Sequence, residues 1–255
     1  MRTCLFCDNV ANTKEDMWPN WLIQCFGEDR DSPTQYWPSI HLAPKTWPGP
    51  RVPIRNVCET CNSGWMSDLE SAVRRPMGCL MNDLSIPLSP DDQNKLAMWC
   101  CKTAMVVEGA KQDKNKFYRE DERKNLRALK AMPSDTSVWL GRCAQSNLLH
   151  AEGRKLNVRR QVQDIQVTDG CSTTFVIKRL ILQMLSVHRG PEASAGGLRV
   201  EIQGGDWHKS LVQIWPVGRN VSWPPPQALG ELDESLTKLI GRFVVSVKHE
   251  RSSHA

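Results

Sequence analysis

The spacing of hydrophobic positions divides the chain into two regimes. Up to about residue 75 no period holds. Apolar residues there are scattered among Pro, Trp and polar positions, most of all from Glu28 to Arg55, so little regular structure is expected, and a segment of that length needs a staple. From Ser89 the pattern changes: SPDDQNKLAMWCCKTAMVVEGA opens with a Ser cap, Pro at the first helical position and acids in the first turn. Leu96, Trp99, Thr103, Val106 and Val107 follow at helical spacing, which predicts a largely buried helix. YREDERKNLRALKAM, residues 118–132, predicts a second helix ended by Pro133, with a mixed-charge face directed to solvent. Beyond Pro133 the period shortens to that of strands in TSVWLGRC, LNVRRQVQDIQVTD, TTFVIKRLILQML and SLVQIWPV, broken by Gly, Asp and Pro. The third run is continuously apolar and equally consistent with a helix. A last amphipathic helix is predicted from Pro226 to Phe243, with Leu229, Leu232, Leu236, Leu239 and Ile240 on one side.

The pattern implies an α+β fold, and 255 residues with 40% hydrophobic content are enough to bury a substantial core. No run of about 18 apolar residues is long enough to cross a bilayer, and MRTCLFCDNV lacks the apolar core of a signal peptide. A soluble cytoplasmic protein with no membrane partner is the expectation. The net charge of +5, from 33 basic and 28 acidic residues, permits a polyanionic partner without establishing one. Five of the ten tryptophans, Trp18, Trp37, Trp47, Trp215 and Trp223, directly precede proline. Proline keeps the preceding residue out of the helical region, so these indoles are expected in extended segments, as anchors of ordered loops.

Ten cysteines would suit a disulfide scaffold only in a short exported chain. Four of them stand as two Cys-x-x-Cys pairs, Cys4 with Cys7 and Cys58 with Cys61, with 50 residues between the pairs. Two such pairs supply four thiolates for one tetrahedral structural Zn²⁺, because the two-residue spacing lets both sulfurs of a knuckle reach one ion. A redox pair is the competing reading, but it belongs at the end of a strand opening a helix, a context absent here. Cys25, Cys79, Cys100, Cys101, Cys143 and Cys171 have no ligand spacing and read as free thiols.

Downstream of the first pair, KEDMWPNWL places Glu15 and Asp16 before a Trp-Pro step. One account of these carboxylates is local: Thr13 as N-cap with Asp16 three residues on, in a capping-box-like helix start. The other is a metal site. The second pair runs into VCETCNSGWMSDLE, where Asn62 follows the last cysteine and Gly64 and Trp65 come next.

A cysteine knuckle leading into a helix, with another knuckle far upstream, resembles the treble-clef finger on which the HNH endonuclease family builds its ββα-metal site. In that family the residue after the last cysteine is a His or Asn that binds the catalytic metal, the place held by Asn62. Upstream the family reads Asp or Glu, then His, then two residues, then Pro; the letters here are Glu15, Asp16, Met17, Trp18 and Pro19. The resemblance implies a treble-clef zinc region over 1–85 packed on an α+β body over 86–255. It also implies Glu15 and Asn62 as ligands of Mg²⁺ or Mn²⁺, Asp16 in the place of the general base, and DNA or RNA as partner. A carboxylate is a weaker base than an imidazole, so hydrolysis would be slow. His41, the one histidine between the knuckles, is a substitute base with no spacing to recommend it. KLAMWCCKTAMVVE, SVWLGR and the C-terminal QIWPVGRNVSWPPPQALGELDESLTKLIGRF extend the resemblance to bacterial and phage proteins with an N-terminal HNH-like finger. The alternative is a catalytically inactive zinc-stabilised module that binds nucleic acid or another protein.

Overall fold

The computed structural model describes residues 2–26, 34–36, 45–47, 51–109, 116–144, 149–156, 167–189, 198–202, 207–230 and 243–247. In chain order, β1 (Glu15–Asp16), α1 (Asn20–Gln24), β2 (Thr34–Tyr36), β3 (Lys45–Trp47) and β4 (Pro53–Ile54) form the N-terminal part. α2 (Glu59–Cys61) passes through a wide π-type turn, Asn62–Met66, into α3 (Ser67–Met81). β5 (Ile86–Leu88), α4 (Pro90–Gly109) and α5 (Glu120–Leu129) follow. Next come β6 (Thr136–Arg142), β7 (Leu149–Leu156), β8 (Val167–Ile177), β9 (Leu180–Arg189) and β10 (Leu198–Ile202). α6 (Trp207–Ser210), β11 (Leu211–Trp215), β12 (Val221–Trp223) and β13 (Phe243–Val247) complete the described elements.

The expected buried helix is α4. Its cap is reciprocal: the Asp92 N–H donates to the Ser89 hydroxyl (3.1 Å), while the Ser89 N–H and hydroxyl both donate to the Asp92 carboxylate (3.0 and 2.6 Å). Every apolar position predicted to face inward, from Leu96 to Val107, is buried. α4 lies against an antiparallel sheet ordered β11-β6-β9-β8-β7. The contact is aromatic: Phe175 of β8 meets Trp99 of α4 and Trp18 edge-on, with ring centroids 6.2 and 5.6 Å apart. On the alternate positions of the same hairpin, Thr174 donates to Gln183 (2.6 Å) and Gln183 to Ser172 (2.9 Å), so these buried polar groups satisfy one another.

The continuously apolar run TTFVIKRLILQML is a β-hairpin. β8 and β9 pair from Val167↔Arg189 to Ile177↔Leu180, and Lys178 turns the corner at φ 54°. Its strands lack a polar face because their residues are buried on both sides, Thr173, Thr174 and Gln183 included. Strand expectations hold for β6 and β11, whereas most of LNVRRQVQDIQVTD lies outside the described residues.

The expected C-terminal helix is not seen at either of its ends. Leu229 makes an isolated parallel bridge to Cys143, and Phe243 begins β13, paired antiparallel with β10; residues 231–242 lie outside the described set. Pro224, Pro225 and Pro226 precede this stretch, and consecutive prolines hold a chain extended, which suits the bridge to Cys143. Of the Trp-Pro tryptophans that are described, Trp47, Trp215 and Trp223 end strands, and Trp18 and Trp223 are fully buried.

One buried apolar cluster takes in Cys4, Phe6, Trp18 and Cys61 near the N-terminus, Met77 and Leu80 of α3, Trp99 of α4 and Leu182 of β9. Among the described residues no helix is long and apolar enough to cross a membrane.

Candidate metal centre

The first knuckle is a tight hairpin of backbone. Thr3 and Val10 bridge antiparallel, the Cys4 N–H donates to the Asn9 carbonyl (2.7 Å), and the Phe6 N–H points at the Cys4 sulfur (3.5 Å). The second forms where β4 gives way to α2. Cys58 is extended (φ −90°, ψ 159°), and the N–H groups of Cys61 and Asn62 both turn back to its carbonyl (3.1 and 3.0 Å). Asn12 stitches the two together by accepting the Glu59 N–H on its side-chain oxygen (2.9 Å), an N-terminal cap supplied from 47 residues away.

These two turns bring the sulfurs of Cys4, Cys7, Cys58 and Cys61 within 4.8 Å of one another, all four residues buried. Cys7 lies 3.5 Å from Cys58 and 3.6 Å from Cys61 between sulfurs. A tetrahedral ion with metal–sulfur bonds of about 2.3 Å needs sulfur–sulfur edges of roughly 3.8 Å. The donor set therefore fits Zn²⁺ in number, element and spacing.

Electrostatics favour a bound cation. Burial opposes ionisation of Cys58, but the Cys61 N–H and the thiols of Cys7, Cys4 and Cys61 outweigh it and bring this thiol down to about 7. Burial pushes Cys4 up; burial and then the charge at Cys4 push Cys61 up. Burial and mutual repulsion thus oppose several thiolates together, and a cation among them would relieve both.

The remaining predicted residues divide. Asp16 is not in a helix cap: β1 pairs with β4, placing Glu15 opposite Ile54 and Asp16 opposite Pro53. The Thr13 hydroxyl donates to the Val57 carbonyl (2.9 Å) instead of capping a helix, because the strand pairing claims this stretch first. α1 starts at Asn20, after Pro19. Asp16 accepts a hydrogen bond from Arg51 at 2.8 Å. Glu15 is placed by its backbone on β1, Asn62 opens the wide turn after Cys61, and no hydrogen bond joins Asp16 to Asn62 among the described residues. His41 lies outside the described residues.

No family model, curated protein or solved structure matches the chain. The centre thus stands on its own geometry.

Several contributors to it carry no motif. α5, expected to present its charges to solvent, holds the first knuckle: the Arg123 guanidinium donates to the Leu5 carbonyl (3.2 Å) and Lys124 pairs with Asp8 (2.6 Å). Asn56 links the same region to α4. Its carbonyl accepts the Leu5 N–H (2.7 Å), and its side-chain amide donates to the Val106 carbonyl (3.5 Å). No signal in the sequence marks α5 for this task, because it lies more than 110 residues from the first knuckle along the chain.

Proposed function

We propose that the chain is a zinc-stapled protein of HNH-type organisation that acts on nucleic acid, with feeble metal-dependent phosphodiester hydrolysis. The observation that carries this reading is the order of parts around the four cysteines. A knuckle is followed by the antiparallel pair β1 and β4, which carries Glu15 and Asp16, and then by a second knuckle that runs into a helix with Asn62 at its head. In this reading zinc is structural, and Glu15 and Asn62 offer the oxygen donors that Mg²⁺ or Mn²⁺ prefers. The divalent ion would supply Lewis-acid stabilisation of a phosphate oxygen. The residues of the chain would hold it and leave proton removal from water to a weak base, Asp16.

A second reading, a silent binding module for nucleic acid or protein, draws on the Asp16–Arg51 pair. The Arg51 guanidinium occupies one oxygen of that carboxylate at 2.8 Å and gives it a partner within the fold. The experiment that separates them is nicking of supercoiled plasmid in Mg²⁺ or Mn²⁺, with gel retardation at low salt alongside. The nuclease reading expects slow nicking that Asn62→Ala abolishes and Asp16→His raises by about 10²-fold, the lower range for a positioned general base. Retardation without nicking in any variant selects the binding module. A natural protein that neither nicks nor retards DNA or RNA, with no gain from Asp16→His, removes the nucleic-acid reading.

A further inference from the structure

Two cations near the C-terminal half of α3 rest on aromatic rings. The Arg74 guanidinium carbon lies 5.9 Å from the Trp21 ring centroid, and the Lys178 ammonium 5.6 Å from that of Phe26. The two rings belong to one short stretch. Trp21 lies in α1, the Cys25 thiol donates to its carbonyl (3.2 Å), and the next N–H, that of Phe26, donates to Ile23 (3.1 Å). Lys178 and Arg179 form the tip of the β8–β9 hairpin, and the Arg179 N–H meets the Met81 carbonyl at the end of α3 (3.4 Å). Met81 follows Arg74 by about 10 Å of helix, at 1.5 Å per residue. The two ring-held cations and the hairpin tip therefore share one surface.

The charge on that surface is one-sided. Glu70, one turn before Arg74, is engaged by the buried Lys102 (2.8 Å). Asp83 is the carboxylate that forms ion pairs here. Its Oδ2 accepts from Arg142 through Nε (2.9 Å) and Nη2, and the Arg179 guanidinium stops 4.0 Å from the same oxygen. Among the described residues Arg74 and Lys178 make no ion pair, so four cations share a single carboxylate. Elsewhere Arg51, Lys95 and Lys124 each have a carboxylate of their own. A ring attracts a cation without accepting its hydrogen bonds in the way a carboxylate does, so the N–H donors of Arg74 and Lys178 remain unspent. The side chains are nevertheless held, which removes part of the ordering cost of binding. An anion that accepts several such bonds from a row of cations is a phosphate chain. About 10 Å spans roughly three successive phosphates of one strand.

We propose that Arg74, Lys178 and Arg179 bind the phosphodiester backbone of a nucleic acid, with Trp21 and Phe26 as the rings that hold two of the cations ready. The assignment rests on the nucleic-acid reading above and adds the surface along which the strand lies. Contacts of this kind position a strand and carry no base preference.

The test is fluorescence anisotropy with the zinc-loaded natural protein, over a series of salt concentrations. The labelled probes are a DNA duplex, one of its strands and the matching RNA. Arg74→Gln with Lys178→Gln should weaken binding to whichever probe the natural protein takes. It should also lower the slope of log affinity against log salt by about two, one for each phosphate contact removed. Arg119→Gln with Arg127→Gln, on α5, removes the same charge and should leave the slope as it is. Trp21→Leu keeps every cation and should weaken binding at an unchanged slope; unaltered affinity there overturns the part given to the ring. If the natural protein binds and the Arg74 and Lys178 changes leave its slope intact, the proposal is overturned and the nucleic-acid reading stands. An equal fall in the α5 variant overturns it as well, by making the attraction one of net charge. A natural protein that binds none of the probes removes the reading, and this surface with it.

Discussion

The cysteines whose side chains meet contrasting surroundings differ in what can reach them and in how easily they ionise. Cys25 is exposed and donates only to the Trp21 carbonyl (3.2 Å). Burial pushes the Cys100 thiol up, and Cys101 is raised by burial with the charges of Cys100 and Glu122 added. Reactivity follows the thiolate and its access. Iodoacetamide at neutral pH, read by mass spectrometry, should therefore modify Cys25 first. Cys4, Cys7, Cys58 and Cys61 should follow only after a chelator is added, and Cys100 and Cys101 only on unfolding. Rapid labelling of Cys100 in the folded, metal-loaded protein would contradict this order. The four ligands were legible in the sequence because a metal knuckle writes its geometry into two-residue spacing. Trp65 was legible only as a letter three places after Asn62, since its packing on Phe6 within the first knuckle is a tertiary contact. Of the two accounts of Asp16, the cap fails because its neighbours, Pro53 across the strand pair and Arg51, lie far along the chain.

At the scale of elements, α3 and α4 are joined by a buried charge. Lys102 of α4, 2% exposed at its side chain, pairs with Glu70 of α3 at 2.8 Å and lies 5.7 Å from the Trp99 ring centroid. Removing one partner of such a pair leaves the other buried and uncompensated, which costs more than the pair itself contributes. Glu70→Ala should thus lower unfolding free energy by about 3 kcal/mol in urea, at the lower end for a buried pair because Glu70 is partly wet. Glu70→Leu combined with Lys102→Met should recover most of that loss, and full additivity of the two single losses would show that the charges are not coupled. The helix period made α4 readable, as did its Ser-Pro-Asp-Asp start. The β8–β9 hairpin was ambiguous because burial on both faces erases alternation, and pairing partners are not local information. The run after Pro226 carried helical spacing, yet at its start Leu229 makes a bridge to Cys143, a tertiary contact that the local period does not foretell.

Across the whole molecule, the metal centre is connected to the body by α5, through Arg123 and Lys124, and by Lys130 over Trp65. Zinc loss should therefore loosen more than the knuckles. The purified protein should carry about one equivalent of zinc, and Cys58→Ser with Cys61→Ser should abolish it and lower the melting temperature by roughly 10 °C. A double variant that melts like the natural protein would sink the structural role. The α+β class was readable from the change of period along the chain. The docking of α5 was not, because a mixed-charge helix face looks the same in sequence whether it meets water or backbone carbonyls.

The position of the ligands has one more consequence. Cys7 and Cys58 are 51 residues apart yet their sulfurs lie 3.5 Å from each other, so a single ion would fasten both ends of everything between them. In a chain tied in this way, the entropy of closing the tether grows only with the logarithm of its length, about 0.6 kcal/mol for each doubling. Sequence could be added between the knuckles at little entropic expense to the clasp, so long as β1, β4 and the buried Trp18 keep their places. The four-cysteine cluster would in this sense be a fixed mount, tolerant of extra length in what it encloses.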